Sequence, residues 1–117
     1  MKRFRGKVTP GTFAVIFTNQ QTPDPTGYTE TADRMVELAE QQPGFIGIES
    51  VRDESGFGIT VSYWETEKAI RAWKANAEHQ EAQKRGREDW YANFDLRICR
   101  VDRAYSGGVQ REQVGLG

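Results

Sequence analysis

His79 is the only histidine in the chain, and imidazole is the side chain whose ordinary titration falls nearest neutrality. It lies in the stretch SYWETEKAIRAWKANAEHQEAQKRGREDWY, residues 62–91, which also holds all three tryptophans, Trp64, Trp73 and Trp90. A neutral imidazole can take a proton from an acidic C–H or O–H. The carboxamides of Asn19 and Asn76 can donate a hydrogen bond to a carbonyl oxygen that is gaining negative charge. Phe17, Tyr63 and Trp73 offer flat apolar surface, and Trp90 and Tyr91 offer more of it. Together these residues can bind a flat aromatic molecule, deprotonate it and hold the resulting oxyanion. Each also has a plainer role. Asn19 precedes QQTPDP and suits a turn. Trp73 suits a helix core stripe. His79 suits a solvated helix face. Phe17 and Tyr63 suit sheet packing. Trp90 and Tyr91 can close a pocket or seal an edge between subunits.

Other chemistries are excluded by count and spacing. One histidine and one cysteine cannot build a zinc site, and no carboxylate pair stands at ligand spacing with them. Cys99 falls in an expected strand with no second histidine to activate it, so it reads as an inert thiol. SGFGI carries two glycines but leads into a strand, not from strand to helix, and is no phosphate loop. Lys+Arg total 16 against Asp+Glu 17, a balance that gives no reason to expect nucleic acid or an acidic membrane surface as partner. The Lys2, Arg3, Arg5 and Lys7 cluster reads as a solvated arm. No apolar h-region follows it, and no apolar run approaches the length of a membrane span. A single cysteine gives no internal disulfide. The expectation is a cytoplasmic protein.

These side chains need a frame. Residues 12–18, TFAVIFT, read as a strand with Phe13, Val15 and Phe17 on one face and Ala14, Ile16 and Thr18 on the other. NQQTPDPTGY is a loop. A helix follows over 28–42, with Tyr28, Ala32, Met35, Leu38, Ala39 and Gln42 as one stripe, and Pro43–Gly44 stop it. Residues 45–51 and 57–64 form a hairpin around RDESG. A second helix over 67–84 starts at a Thr66 cap. On a continuous wheel it carries His79 about 120° from Trp73. Residues 94–105 are the last strand. The order β-α-β-β-α-β, with right-handed crossovers, predicts an α+β, ferredoxin-like domain: an antiparallel four-stranded sheet with two helices on one face. The first strand is apolar on both faces, so something must cover the second one. A face-to-face homodimer does so. Residues 1–11 are expected to be a flexible arm, 12–105 the domain and 106–117 a flexible tail.

FAVIFT, the helix end LAEQQPGF and the run FGITVSYWETEKAIRAWKANAEH together resemble the antibiotic biosynthesis monooxygenase family, over roughly residues 12–105. The resemblance implies a dimeric α/β-barrel and a monooxygenase that works without a prosthetic group on a small aromatic or quinol-type substrate. His79, Asn19 and Asn76 are then the candidate catalytic groups. Trp73, Phe17, Tyr63, Trp90 and Tyr91 are the candidate substrate contacts, with no metal and no cofactor. Two alternatives stay open. One is a dimeric module that binds a small ligand without catalysis. The other follows the haem-degrading relatives, in which Asn19 and Trp73 match two of the residues used. The axial ligand position there falls nearer Gln83 than His79.

Overall fold

The computed structural model describes residues 2–108, the first four of them by backbone alone. A twisted five-stranded sheet carries three helices. The strands are β1 (Lys2–Arg5), β2 (Phe13–Gln21), β3 (Phe45–Arg52), β4 (Phe57–Trp64) and β5 (Tyr91–Arg100). They lie in the order β1-β3-β4-β2-β5, and every neighbouring pair is antiparallel. The helices are α1 (Tyr28–Glu40), α2 (Glu67–Ala75) and α3 (Ala77–Arg85), and a π-helical turn, Gly86–Trp90, leads into β5. The four strands β2 to β5, in the order β3-β4-β2-β5, are the ferredoxin-like sheet that the pattern predicts.

Phe13 and Val15 point to the helical side of β2, where they pack with Ala39, Trp64, Ile70, Phe45, Ala69 and Trp73. Trp64 is 0% exposed, and its indole N–H donates to the Ser62 hydroxyl at 2.9 Å. Two local devices act as the sequence predicts. The Thr66 hydroxyl accepts the Ala69 N–H at 3.0 Å and starts α2. Gly44 takes φ 85° after α1, and a Cβ there would lie 2.7 Å from the Ala69 Cβ, so the turn needs glycine on both counts.

The sheet differs from expectation at its ends. Lys2–Arg5 pairs with β3, with Lys2 opposite Ser50 and Arg5 opposite Gly47, so a strand occupies part of the stretch expected to be a flexible arm. β2 runs on to Gln21, past the turn expected at Asn19, because Phe57–Gly58 and Tyr91–Phe94 continue the ladders on either side of it. β5 begins at Tyr91, three residues before the expected start. Residues 109–117 of the expected tail lie outside the described residues.

The helix expected over 67–84 is broken at Asn76, whose backbone is extended at φ −60°, ψ 129°. Its side-chain oxygen accepts the His79 N–H at 3.1 Å and so caps a new helix. Asparagine favours such local bonds over a helix interior, and here that preference overrides the alanine-rich surroundings.

On the side away from the helices the sheet is uncovered in the single chain. Val51, Phe57 and Ile59 are exposed there. Their register partners, Thr18 for Ile59 and Gln20 for Phe57, share that face.

Candidate functional site

The helix break brings together two residues that a continuous wheel separates. The His79 ring stacks on the Trp73 indole, centroids 4.1 Å apart and planes 13° from parallel. The Trp73 carbonyl, left without its ordinary helical partner, accepts the Asn76 N–H at 3.1 Å and lies 3.0 Å from His79 Nδ1. A carbonyl can only accept, so Nδ1 carries the proton and Nε2 keeps a lone pair. Burial pushes the imidazole below its ordinary value, with the Trp73 carbonyl opposing in part, so His79 is neutral at physiological pH. Trp73 in turn stacks on Trp64 at 6.1 Å, and Trp64 meets Phe45 edge-on at 5.3 Å.

A second aromatic group forms at the other end of the sheet. Phe17 meets Tyr91 edge-on at 5.2 Å and Phe94 at 5.9 Å. Tyr28, at the start of α1, lies 5.5 Å from Trp90 and 5.9 Å from Tyr91. The π-helical turn creates this arrangement. It buries Trp90, whose indole N–H donates to the Thr26 carbonyl at 2.9 Å and pins the loop before α1. Trp90 is therefore an anchor for that loop. Gly86 leaves room for the Tyr91 ring, which would lie 2.8 Å from a Cβ at that position. Burial raises the Tyr91 phenol far above its usual range; the neighbouring Tyr28 adds to this and Arg52 opposes it, so Tyr91 remains an O–H donor.

Asn19 sits beside this group, on the same side of β2 as Phe17. It is 1% exposed, and neither its side-chain oxygen nor its nitrogen has a hydrogen-bond partner. A buried carboxamide without partners costs about 1–3 kcal/mol for each lost bond, a cost retained where a ligand satisfies it. Asn19 is opposite Gly58 on one side and Phe94 on the other. Gly58 is in turn opposite Arg52. The row Arg52–Gly58–Asn19–Phe94 thus crosses four strands on the helical face. Arg52 lies over the glycine, its Cζ and Nη1 each 2.7 Å from where a Cβ would be. Arg52 Nη1 donates to the Gly56 carbonyl at 2.7 Å and Nη2 to the Tyr28 hydroxyl at 2.9 Å.

The residues singled out from sequence therefore divide. Phe17, Asn19, Trp90 and Tyr91 gather at one end. Trp73, Asn76 and His79 form a separate cluster at the helix break, part-way along the return from Trp64 to Tyr91. Asn76 has its side-chain oxygen engaged as a helix cap. Tyr63 joins neither group: it is opposite Ala14, on the uncovered face, and its hydroxyl donates to Glu49 at 3.2 Å. A cleft lined by Phe17, Tyr63 and Trp73 together is thus corrected, since alternate residues of β4 point to opposite sides. Gln83 is half-buried on α3. Tyr28 and Arg52 were missed. Gly58, a glycine inside a strand, was the available signal, because such a position often marks the close approach of another group. An open groove of about 310 Å³ between α1 and α3, lined by Arg34, Met35, Glu78 and Arg85 among others, contains none of these residues. Its walls hold each other through the Arg34–Glu78 ion pair at 3.2 Å, and the orphaned Asn19 amide is the stronger indicator of a site. Among the described residues no group of three potential metal ligands occurs, and no helix is long and apolar enough to cross a membrane.

An antiparallel α+β sheet with its helices on one face sets the fold class. Residues 13–85 match the antibiotic biosynthesis monooxygenase family, and the chain belongs to it. It is 51% identical over 94 residues to the uncharacterized protein YqjZ of Bacillus subtilis (strain 168), a match covering 80% of this chain and 82% of that one. It is 34% identical over 95 residues to the jasmonate monooxygenase ABM of Pyricularia oryzae, across 76% of this chain but only 43% of that protein. In fold it is similar to SnoaB, a cofactor-independent oxygenase from Streptomyces nogalater, with a TM-score of 0.70 at 12% identity over 80% of this chain and 96% of that one.

Proposed function

We propose that the protein is a cofactor-independent monooxygenase acting on a small aromatic or quinol-type substrate with O2. The observation that carries this reading is the buried Asn19 amide with no partner of its own. The family and the SnoaB-like fold support the reaction class.

In this reading the substrate ring lies against Phe17, Tyr91 and Phe94, and its oxygen accepts from the Asn19 carboxamide. The substrate enters as its enolate, its acidic proton already lost to water, because His79 stands in the separate cluster at the helix break. The resulting carbanion passes an electron to O2, and the radical pair recombines to a peroxide. Loss of water from the protonated peroxide leaves a carbonyl, so a CH2 group and O2 become C=O and H2O. The amide stabilises negative charge as it forms, in a site from which burial excludes water. The protein works as a homodimer in which the uncovered sheet faces, with Val51, Phe57 and Ile59, pack on one another.

Oxygen uptake on a panel of anthrones and quinols tests the reading, with product identified by mass. Uptake matched by ketone formation is expected, with kcat/KM lowered by about a hundredfold in Asn19→Leu, the cost of one oxyanion donor. Absence of turnover across the panel, or full activity in Asn19→Leu, would overturn it. A haemin titration in the Soret region separates the haem-binding alternative. A stoichiometric spectrum lost in His79→Ala would replace the present reading.

A further inference from the structure

Arg52 is the half-buried cation of the site, and no carboxylate among the described residues pairs with it. The contrast within the chain is informative. Arg34, Arg71 and Arg85, all exposed on helices, each have an acidic partner within 4 Å: Glu78 and Glu37, Glu67, and Asp89. Burial makes a counter-charge more necessary, yet the partners of the more buried Arg52 are neutral: the Gly56 carbonyl, the Tyr28 hydroxyl and the Tyr28 ring, 5.1 Å from its Cζ. Those two bonds use two of its five N–H groups and hold the guanidinium fixed over Gly58. Asn19 is the next residue along that row, with its amide unpartnered.

We propose that Arg52 binds a carboxylate carried by the aromatic substrate, so that the Asn19 site takes aromatic acids in preference to neutral quinols. This rests on the reading of Asn19 as the amide that holds the substrate. The planar fork of arginine matches a carboxylate at two oxygens, and the charge completes what the protein leaves open. Gly58 is part of the device, because any side chain there would push the guanidinium off its place. Arg52 is a binding residue in this scheme and takes no part in the chemical step.

The test compares anthraquinone-2-carboxylate with its methyl ester, by quenching of tryptophan fluorescence and by calorimetry. Wild type should bind the acid at least about tenfold more tightly than the ester, the size of one charge-assisted hydrogen bond. Arg52→Gln should abolish that preference, so that acid and ester bind alike, and Arg52→Lys should restore part of it. Gly58→Ala displaces the guanidinium without removing charge and should also lose the preference. It guards against an Arg52 variant that folds poorly. Equal binding of acid and ester by wild type, or an acid preference that survives in Arg52→Gln and Gly58→Ala, would overturn the proposal. Acid binding that depends on Asn19 but not on Arg52 would leave the Asn19 reading standing and remove this one. Binding of neither ligand would remove both.

Discussion

The Trp73 carbonyl and the His79 Nδ1 nitrogen, 3.0 Å apart, join the end of one helix to the start of the next. The bond does three things. It gives the Trp73 carbonyl a second donor beside the Asn76 N–H, fixes the imidazole tautomer, and holds the ring against the indole at 4.1 Å. His79→Ala is therefore expected to destabilise the fold by about 1–2 kcal/mol, the sum of a lost hydrogen bond and ring contact. Urea unfolding followed by far-UV circular dichroism checks this; an unchanged midpoint would mean the stack contributes nothing.

The depressed His79 value sets the direction of a pH effect. Below about pH 6.5 the unfolded chain takes up a proton that the folded chain still refuses. Stability from this group is therefore full above that pH and falls on acidification, until the folded imidazole also protonates. The melting temperature should drop as pH is lowered from about 7 to 5, with a shallower slope in His79→Phe. Parallel slopes in the two proteins would contradict the assignment.

Asn76→Ala removes the cap that starts α3 and should cost about 1 kcal/mol. The alanine also favours one continuous helix, in which His79 swings off Trp73. The imidazole should then titrate nearer its ordinary value. NMR of the His79 ring protons reads this directly, and an unmoved titration would show that tertiary packing, not the cap, holds the break.

Trp64 is fully buried between Phe45 and Trp73, and Trp64→Ala should cost about 3–5 kcal/mol. Trp73 has His79 on one side in place of core, so Trp73→Ala should cost less. Equal losses in thermal unfolding would indicate that both are simple core.

Ile59→Lys places a charge in the middle of the uncovered sheet face. If two chains meet there, this substitution should give a monomer by light scattering, with the helical signal retained. A wild-type monomer, or a dimer unaffected by the lysine, would exclude that face as the contact.

The fold was legible in the sequence because its markers are local. Gly44, the Thr66 cap, the alternation of Phe13, Val15 and Phe17, and the apolar stripe of α1 each act within a few residues. The site was legible only in part. Asn19 could be named, but its burial depends on Gly58 and Phe94 arriving from strands distant in sequence. Arg52 read as the start of a turn, and only cross-strand register places it over a glycine. The break at Asn76 was not legible, because an alanine-rich run propagates a helix. One asparagine interrupts it with the help of a stack that the sequence does not display. That interruption also resets the helical phase, so the wheel angle between Trp73 and His79 had no meaning.

The two margins of the sheet are unlike. β1 forms a short margin of 4 residues, whereas β5 presents 10 residues with unshared ladder groups along its outer side. Such a margin is a template on which foreign strands can grow. Here Phe94, Leu96 and Ile98 alternate with Asp95 and Arg97, and every residue from Ala92 to Arg100 is exposed. An incoming strand must bring matching charges on one face and apolar groups on the other, so the charges act as gatekeepers against fibre formation. Neutralising Asp95 and Arg97 together would leave the monomer's interior untouched and still make the protein prone to aggregate.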